Sequence, residues 1–241
     1  MGLIAHPVAL KEKSRNLCNA FLAGAPKDAY GHVFFGVNET NWDAWRRVLL
    51  RKEPYWYIDN SYFDSVRGQQ FRITRNAIQV PNALAHKSDG KRFEALGLEI
   101  KPWQSKQDGY WLVIEQSPAF MERIAGDKRW LENMARGLDP SRRMKVRRWK
   151  SDKIAQQSTL LEDLKGAWML ITHSSAAAVT AALEGIPIEV SHKSALYSMV
   201  CSTDNAVDQR RHFMNVLADN QFTTQEMEDG TAWRMLNTGT S

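Results

Sequence analysis

Residues 168–190 read WMLITHSSAAAVTAALEGIPIEV, and this stretch decides how the rest of the chain is read. An apolar run stops at Thr172-His173-Ser174-Ser175, an alanine-rich segment follows, Gly185 ends it, and a second apolar run opens around Pro187. The order is strand, polar loop, small-residue helix, strand. The alanines let the helix pack closely on a sheet, Gly185 supplies a left-handed stop, and Pro187 keeps the helix from continuing. Ser174 or Ser175 can cap the first turn, where free N–H groups and the helix dipole favour an anion. In open α/β sheets ligands sit beyond the carboxyl ends of the strands, so the Thr-His-Ser-Ser loop is the first candidate for a site. An ordinary βαβ crossover with a serine cap and an empty mouth fits the same residues.

The alternation extends through the chain. In the first half strands are expected at 3–8, 32–37, 55–59 and 71–80, with a further one at 98–103. Helices over 12–23 and 41–52 join the first three strands, and Asn38 or Asn41 is placed to cap the second helix. After the polar patch SKQDG (105–109) come a strand at 110–116, a helix over 119–136 and a strand at 144–149. A helix over 158–165, the strand at 168–173, the alanine helix and a strand at 186–190 follow. Thr223 with Glu226 three residues later fits a capping box and predicts a final helix from 224. Strands alternating with helices give an α/β fold, read as two Rossmann-like halves, 1–104 and 105–241, with a cleft between them and the final helix returning. A single continuous sheet is the alternative.

The 241 residues suit one large domain or two of about 120 each. A hydrophobic fraction of 43% and a charged fraction of 24% are ordinary for a globular protein and exclude disordered and fibrous classes. No apolar run approaches the roughly 20 residues that span a bilayer, so no integral membrane association is expected. The start MGLIAHPVALKEKSR does not read as a signal peptide, and Cys18 and Cys201 lie too far apart for a disulfide framework. These features point to a reducing, cytoplasmic protein. The net charge of +5 tilts the partner toward a polyanion. Nine tryptophans provide flat faces for stacking on bases or sugar rings, or simply for filling cores.

Three segments, LLEDLKGAWMLITHSSAAAVTAALEGIPIEV (160–190), YIDNSYFDSVRG (57–68) and MKVRRWKSDK (144–153), together resemble GT-B glycosyltransferases, especially the retaining Kdo transferases of bacterial capsule synthesis. The resemblance implies a compact GT-B-like fold with an acceptor-side first half and a nucleotide-sugar-side second half. It also implies sugar transfer without a catalytic metal, the nucleotide sugar being a co-substrate rather than a cofactor. The sequence departs from that family at two places. Thr180 stands where many members carry a ribose-binding glutamate, Glu184 lying just before the glycine, and Arg148-Trp149 replaces a Pro-His pair.

Asp59, at the end of an aromatic strand, is the first candidate for the catalytic carboxylate and Asp64 the reserve; both also fit turn formers. Arg67, Tyr62 and Arg72 are candidates for acceptor binding, although Arg67 could merely pair with Asp64. Among the basic residues of 142–150, Arg147 and Lys150 are placed to grip the donor diphosphate, with a solvated basic face as the plainer reading. His173, Ser174, Ser175, Gln116, Ser117 and Glu184 complete the donor-binding set, with Tyr197 and Ser198 as weaker candidates. No Asp-x-Asp pair, metal-spaced His/Cys cluster, P-loop or Gly-x-Gly-x-x-Gly motif occurs, so neither metal nor nicotinamide cofactor is expected.

Two function classes follow. The first is a glycosyltransferase acting on a polyanionic acceptor. Charge and the lack of a membrane-binding helix favour hydroxymethylated DNA bases, as in phage DNA glycosylation in a host cytoplasm, narrowly over an acidic glycan. The second is a non-catalytic α/β protein that binds nucleic acid or a nucleotide.

Overall fold

The computed structural model describes residues 2–9, 11–81, 83–104, 106–149, 158–200 and 207–238. The chain divides into two compact units, 1–81 with 217–241, and 82–216.

In the first unit, β1 (Leu3–His6), β2 (Gly31–Phe35) and β3 (Tyr55–Asn60) run parallel, connected by the helices Glu12–Ala23 and Trp42–Arg51. β4 (Gln70–Arg75) returns antiparallel to β3, and β9 (Gln221–Thr223) lies antiparallel to β4, so the order is β1-β2-β3-β4-β9. Phe21, Val33, Trp56, Ile58, Ile73 and Phe222 bury one face of this sheet. On the other face Trp45 stands edge-on to Phe34 and Tyr55, at ring separations of 5.0 and 4.9 Å.

The strand expected over 71–80 stops at Arg75, because Asn76 turns left-handed at φ 54° and its Oδ1 accepts the Tyr55 N–H at 3.0 Å. Asn41 stands at the start of its helix, but its side chain does not cap it. It donates instead to the carbonyls of His6 and Gly36, at 3.1 Å each, and so fastens the ends of β1 and β2 together.

The second unit holds β5 (Tyr110–Ile114), β6 (Met144–Arg147), β7 (Ala167–Thr172) and β8 (Ile188–Val190), all parallel, in the order β6-β5-β7-β8. Two separate sheets thus replace the alternative of a single one, and each unit is a mixed α/β layer of Rossmann-like type. The helix expected over 119–136 is broken in two. Pro118–Phe120 runs into a π-helical turn, Met121–Ala125, which Gly126 ends at φ 66°, and a second helix spans Trp130–Arg136. Segment 98–103 forms no strand. It lies along the end of the alanine helix, where the Lys101 and Gln104 N–H groups donate to the carbonyls of Leu183 and Gly185 at 2.8 and 2.7 Å.

A division at 104/105 therefore differs from the one the structure adopts. Backbone hydrogen bonds hold 101–104 in the second unit. The C-terminal segment joins the first through β9 and through Met227, which is packed beside Leu17 and Phe21. The expected capping box is formed there: the Thr223 hydroxyl accepts the Glu226 N–H at 3.2 Å, and the Thr223 N–H donates to the Glu226 carboxylate at 2.8 Å. No described helix is long and apolar enough to cross a membrane.

Candidate functional site

The chain leaves β5 toward β6 on one side and crosses back to β7 on the other. The carboxyl ends of β5 and β7 therefore flank a topological switch point, where open α/β sheets leave a crevice. The residues after these strands are tied across it. The Gln116 Oε1 accepts the Ser174 N–H at 3.1 Å, its Nε2 donates to the Ser174 hydroxyl at 3.3 Å, and the Thr172 hydroxyl donates to the Ile114 carbonyl at 3.0 Å. Beside this clamp opens a pocket of about 520 Å³, lined among others by Gln116, His173, Glu122, Trp130, Arg148 and Trp149. Its walls come from the ends of β5, β6 and β7 and from the π-helical turn, whose irregular backbone is a frequent feature of functional sites.

His173 is 3% exposed. Its Nδ1 lies 3.0 Å from the Ser174 hydroxyl, and the rings of Trp130 and Phe120 stand edge-on to it at 5.5 and 6.0 Å. Burial, then the Lys193 cation and His192, lower its pKa to about 4 against the pull of Asp127. At neutral pH His173 brings an uncharged imidazole to the pocket, able to hydrogen-bond but not to neutralise a phosphate. Trp149, 48% exposed, adds an open aromatic face. Of the other two serines, Ser117 caps its short helix, whereas neither Ser174 nor Ser175 caps the alanine helix, whose N-cap position is Ala176 with no side-chain cap. The Ser117 hydroxyl accepts the Phe120 N–H at 3.1 Å, and the Ser175 hydroxyl accepts the Ala177 N–H at 3.2 Å. Tyr197 lies beyond β8 with its ring 6.3 Å from that of His192.

The basic cluster splits into different roles. Lys145 and Arg147 both pair with the carboxylate of Asp163, the lysine at 2.5 Å, and the Ser158 hydroxyl donates to the same carboxylate at 2.5 Å. Asp163 is 1% exposed, so Arg147 is part of a buried hub rather than an open anion grip. Arg142 donates to the carbonyls of Gln107 and Gly109, at 2.7 and 2.6 Å, and lies over the Trp168 ring at 4.4 Å. Arg148 is the pocket-lining member. Lys150 lies outside the described residues. Glu184 is carried to the opposite end of the alanine helix, where it meets Lys101 at 2.6 Å.

In the first unit the structure brings Asp59, Tyr62 and Arg72 together. Asp59 and Arg72 are register partners on β3 and β4, with Oδ2 and Nη2 2.6 Å apart. Arg72 also donates to the Gln79 Oε1 at 3.1 Å and lies over the Tyr62 ring at 5.0 Å. The Tyr57 hydroxyl donates to Asp59 at 3.4 Å, and the Tyr62 hydroxyl donates to Gln79 at 3.0 Å. Burial raises the pKa of both tyrosines, so they remain hydroxyl donors. Asp64 and Arg67 are not part of this network; they pair with each other at 3.4 Å on an exposed 3₁₀ turn.

Sequence reasoning missed Trp130 and Glu122 as wall residues and Asp163 as the partner of the basic strand. Arg148-Trp149 carried a usable signal, since both follow β6 directly and a parallel strand beside β5 must end at the same edge. Among the described residues, no group of three or more His, Cys, Asp or Glu side chains could hold a metal ion.

The sequence matches no protein-family profile and no curated protein. The fold is similar to that of Thermosulfurimonas dismutans KpsC, beta Kdo 2,4 transferase, with a TM-score of 0.56 at 12% identity. The likeness covers 90% of this chain and 89% of that one. At that identity the likeness is one of fold alone.

Proposed function

We propose that the protein is a glycosyltransferase moving a sugar from a nucleotide-sugar donor, held in the second unit, to a hydroxyl of an acidic glycan. The observation that carries the reading is the pocket at the β5/β7 switch point, in a fold similar to a Kdo transferase. Trp149 and Trp130 offer faces for a base or sugar ring, Arg148 offers charge for a phosphate, and Gln116, His173 and Ser174 offer hydrogen bonds. Asp59 is the proposed catalytic carboxylate, held by Arg72 and Tyr57. Tyr62 and Arg72 support it, while the proposed donor role of Arg147 reduces to shaping the strand end that presents Arg148.

Hydroxymethylated DNA bases are the second acceptor reading, favoured by the net charge of +5. The test is transfer of labelled sugar from CMP-, UDP-, GDP- and ADP-linked donors to acidic oligosaccharides and to hydroxymethylated DNA. Transfer to glycan, abolished in Asp59→Asn with donor binding retained, supports the first reading. Transfer to DNA selects the second. No transfer to either, with DNA binding that falls steeply as salt rises, returns the protein to a non-catalytic binding role.

A further inference from the structure

Unit 1 contains a chain of three titratable side chains that the proposed chemistry does not use. The Glu53 carboxylate lies 2.9 Å from His32 Nε2, and His32 Nδ1 lies 2.9 Å from His6 Nε2. Glu53 follows the helix Trp42–Arg51, His32 sits on β2, and His6 is the last residue of β1. The chain of contacts thus runs from the amino edge of the sheet to its carboxyl edge. The two imidazoles stack at 5.1 Å, and His6 also stacks on Phe34 at 4.5 Å, which fixes both rings.

The order of donors follows from the end that can only accept. A carboxylate has no proton to give, so His32 Nε2 donates to Glu53. In the tautomer that gives His32 its single proton on Nε2, the His32 Nδ1 is bare and accepts from His6 Nε2–H. That leaves His6 Nδ1 as an unprotonated lone pair at the carboxyl end of β1. Asn41, donating to the His6 and Gly36 carbonyls, holds the neighbouring strand ends in place around it. In the register of the sheet His6 stands opposite Phe34 and Phe34 opposite Tyr57, two residues before Asp59, so His6 and Asp59 belong to the same face.

We propose that His6 is a substrate-binding residue whose Nδ1, kept bare by the Glu53–His32 chain, accepts a hydrogen bond from a hydroxyl of a sugar lying along the carboxyl ends of β1 to β3. The inference rests on the reading of the first unit as the acceptor side and adds a site to it. Burial, followed by His32 and Arg47, lowers the His6 pKa to about 4, which keeps the imidazole neutral at physiological pH. A neutral acceptor nitrogen discriminates for a hydroxyl and against a carboxylate, so it would orient the acceptor by its hydroxyls.

The test uses the full chain with ¹⁵N-labelled histidine at pH 7, with free Kdo as an acidic polyol probe. The long-range proton–nitrogen spectrum should show the His6 proton on Nε2 and a bare Nδ1, a preference that Glu53→Gln weakens. Adding Kdo should move the Nδ1 resonance. In the transfer assay His6→Gln, which keeps a group at the Nε2 position only, should raise the acceptor KM about tenfold, as expected for one neutral hydrogen bond. His6→Asn, whose amide oxygen can occupy the Nδ1 position, should recover part of that, and the donor KM should stay unchanged in both. A proton found on Nδ1, a resonance indifferent to Kdo, or an acceptor KM unaffected in His6→Gln overturns the proposal. A Kdo-responsive His6 in a protein that transfers no sugar leaves this site standing and overturns the glycosyltransferase reading instead.

Discussion

Arg72 meets Asp59 across the β3–β4 ladder at 2.6 Å, and with 8% of its side chain exposed against 29% for Asp59 it is the more deeply buried partner. Burial alone would lower the guanidinium pKa, but Asp59 and the two tyrosines outweigh it and the net direction is upward. Removing one partner of a buried pair leaves the other charge uncompensated. Arg72→Met should therefore cost about 2 kcal/mol in urea unfolding, a value set below the fully buried range because Asp59 reaches solvent. Combining it with Asp59→Asn should cost less than the sum of the single changes. Additive costs would mean that the pair does not interact across the ladder.

Asp163 predicts an acid limb. Burial pushes its pKa up, but the hydrogen bonds from Lys145, Ser158 and Arg147 more than reverse this, leaving it below the ordinary 3.8. A depressed folded-state value means stability that is complete above about 3.8 and is lost as pH falls through the lower folded value. Stability measured from pH 5 downward should fall in the wild type, with a visibly shallower fall in Asp163→Asn. That variant should also be less stable at pH 7, because Lys145 and Arg147 lose their shared anion. Identical acid limbs in the two proteins would show that Asp163 is not the group responsible.

The histidines give a second pH signature with the opposite origin. His6 and His173 both have pKa values lowered from 6.5 to about 4. Between those values the unfolded chain binds protons that the folded one refuses, so stability rises as pH rises from about 4 to 6.5 and is then level with respect to these groups. Proton resonances of the six histidines should accordingly include two that do not titrate until near pH 4. Replacing His173 with Gln should flatten part of the stability rise. Six histidines all titrating near 6.5 would contradict the burial of both sites.

Gly185 adopts φ 73°, and a Cβ there would come within 2.0 Å of the Pro102 carbonyl oxygen. Gly185→Ala meets both a strained backbone and a collision with main chain, so a loss of about 3 kcal/mol or failure to accumulate as folded protein is expected. Circular dichroism melting checks this. Gly68, also left-handed at φ 87° but with open space around its Cβ position, serves as the control, and Gly68→Ala should cost about 1 kcal/mol.

What could be read from sequence was whatever local chemistry fixes. Gly185 and Pro187 announced a helix stop, Thr223 and Glu226 a capping box, and the Thr-His-Ser-Ser loop the edge where β7 ends. Gln116 and Ser174 were both named from strand ends, but nothing in the sequence paired them; the strand order β6-β5-β7-β8 does. The same holds for Arg147, whose charge pointed to a ligand until a buried aspartate from the helix Leu160–Lys165 took it up. The antiparallel course of β4 and the pairing of Asp59 with Arg72 also depend on long-range register, which alternation of apolar residues does not encode.

The most direct measurement is calorimetric titration of the protein with CMP, UDP, GDP and ADP at low salt, repeated on Trp149→Ala and Gln116→Ala. Trp149 is exposed, so its loss leaves the core intact, and Gln116 holds the switch-point clamp. Selective binding of one nucleotide, weakened about tenfold or more in each variant, is the predicted result and names the donor class. No nucleotide binding, or binding unchanged in both variants, would contradict a donor site at the β5/β7 switch point.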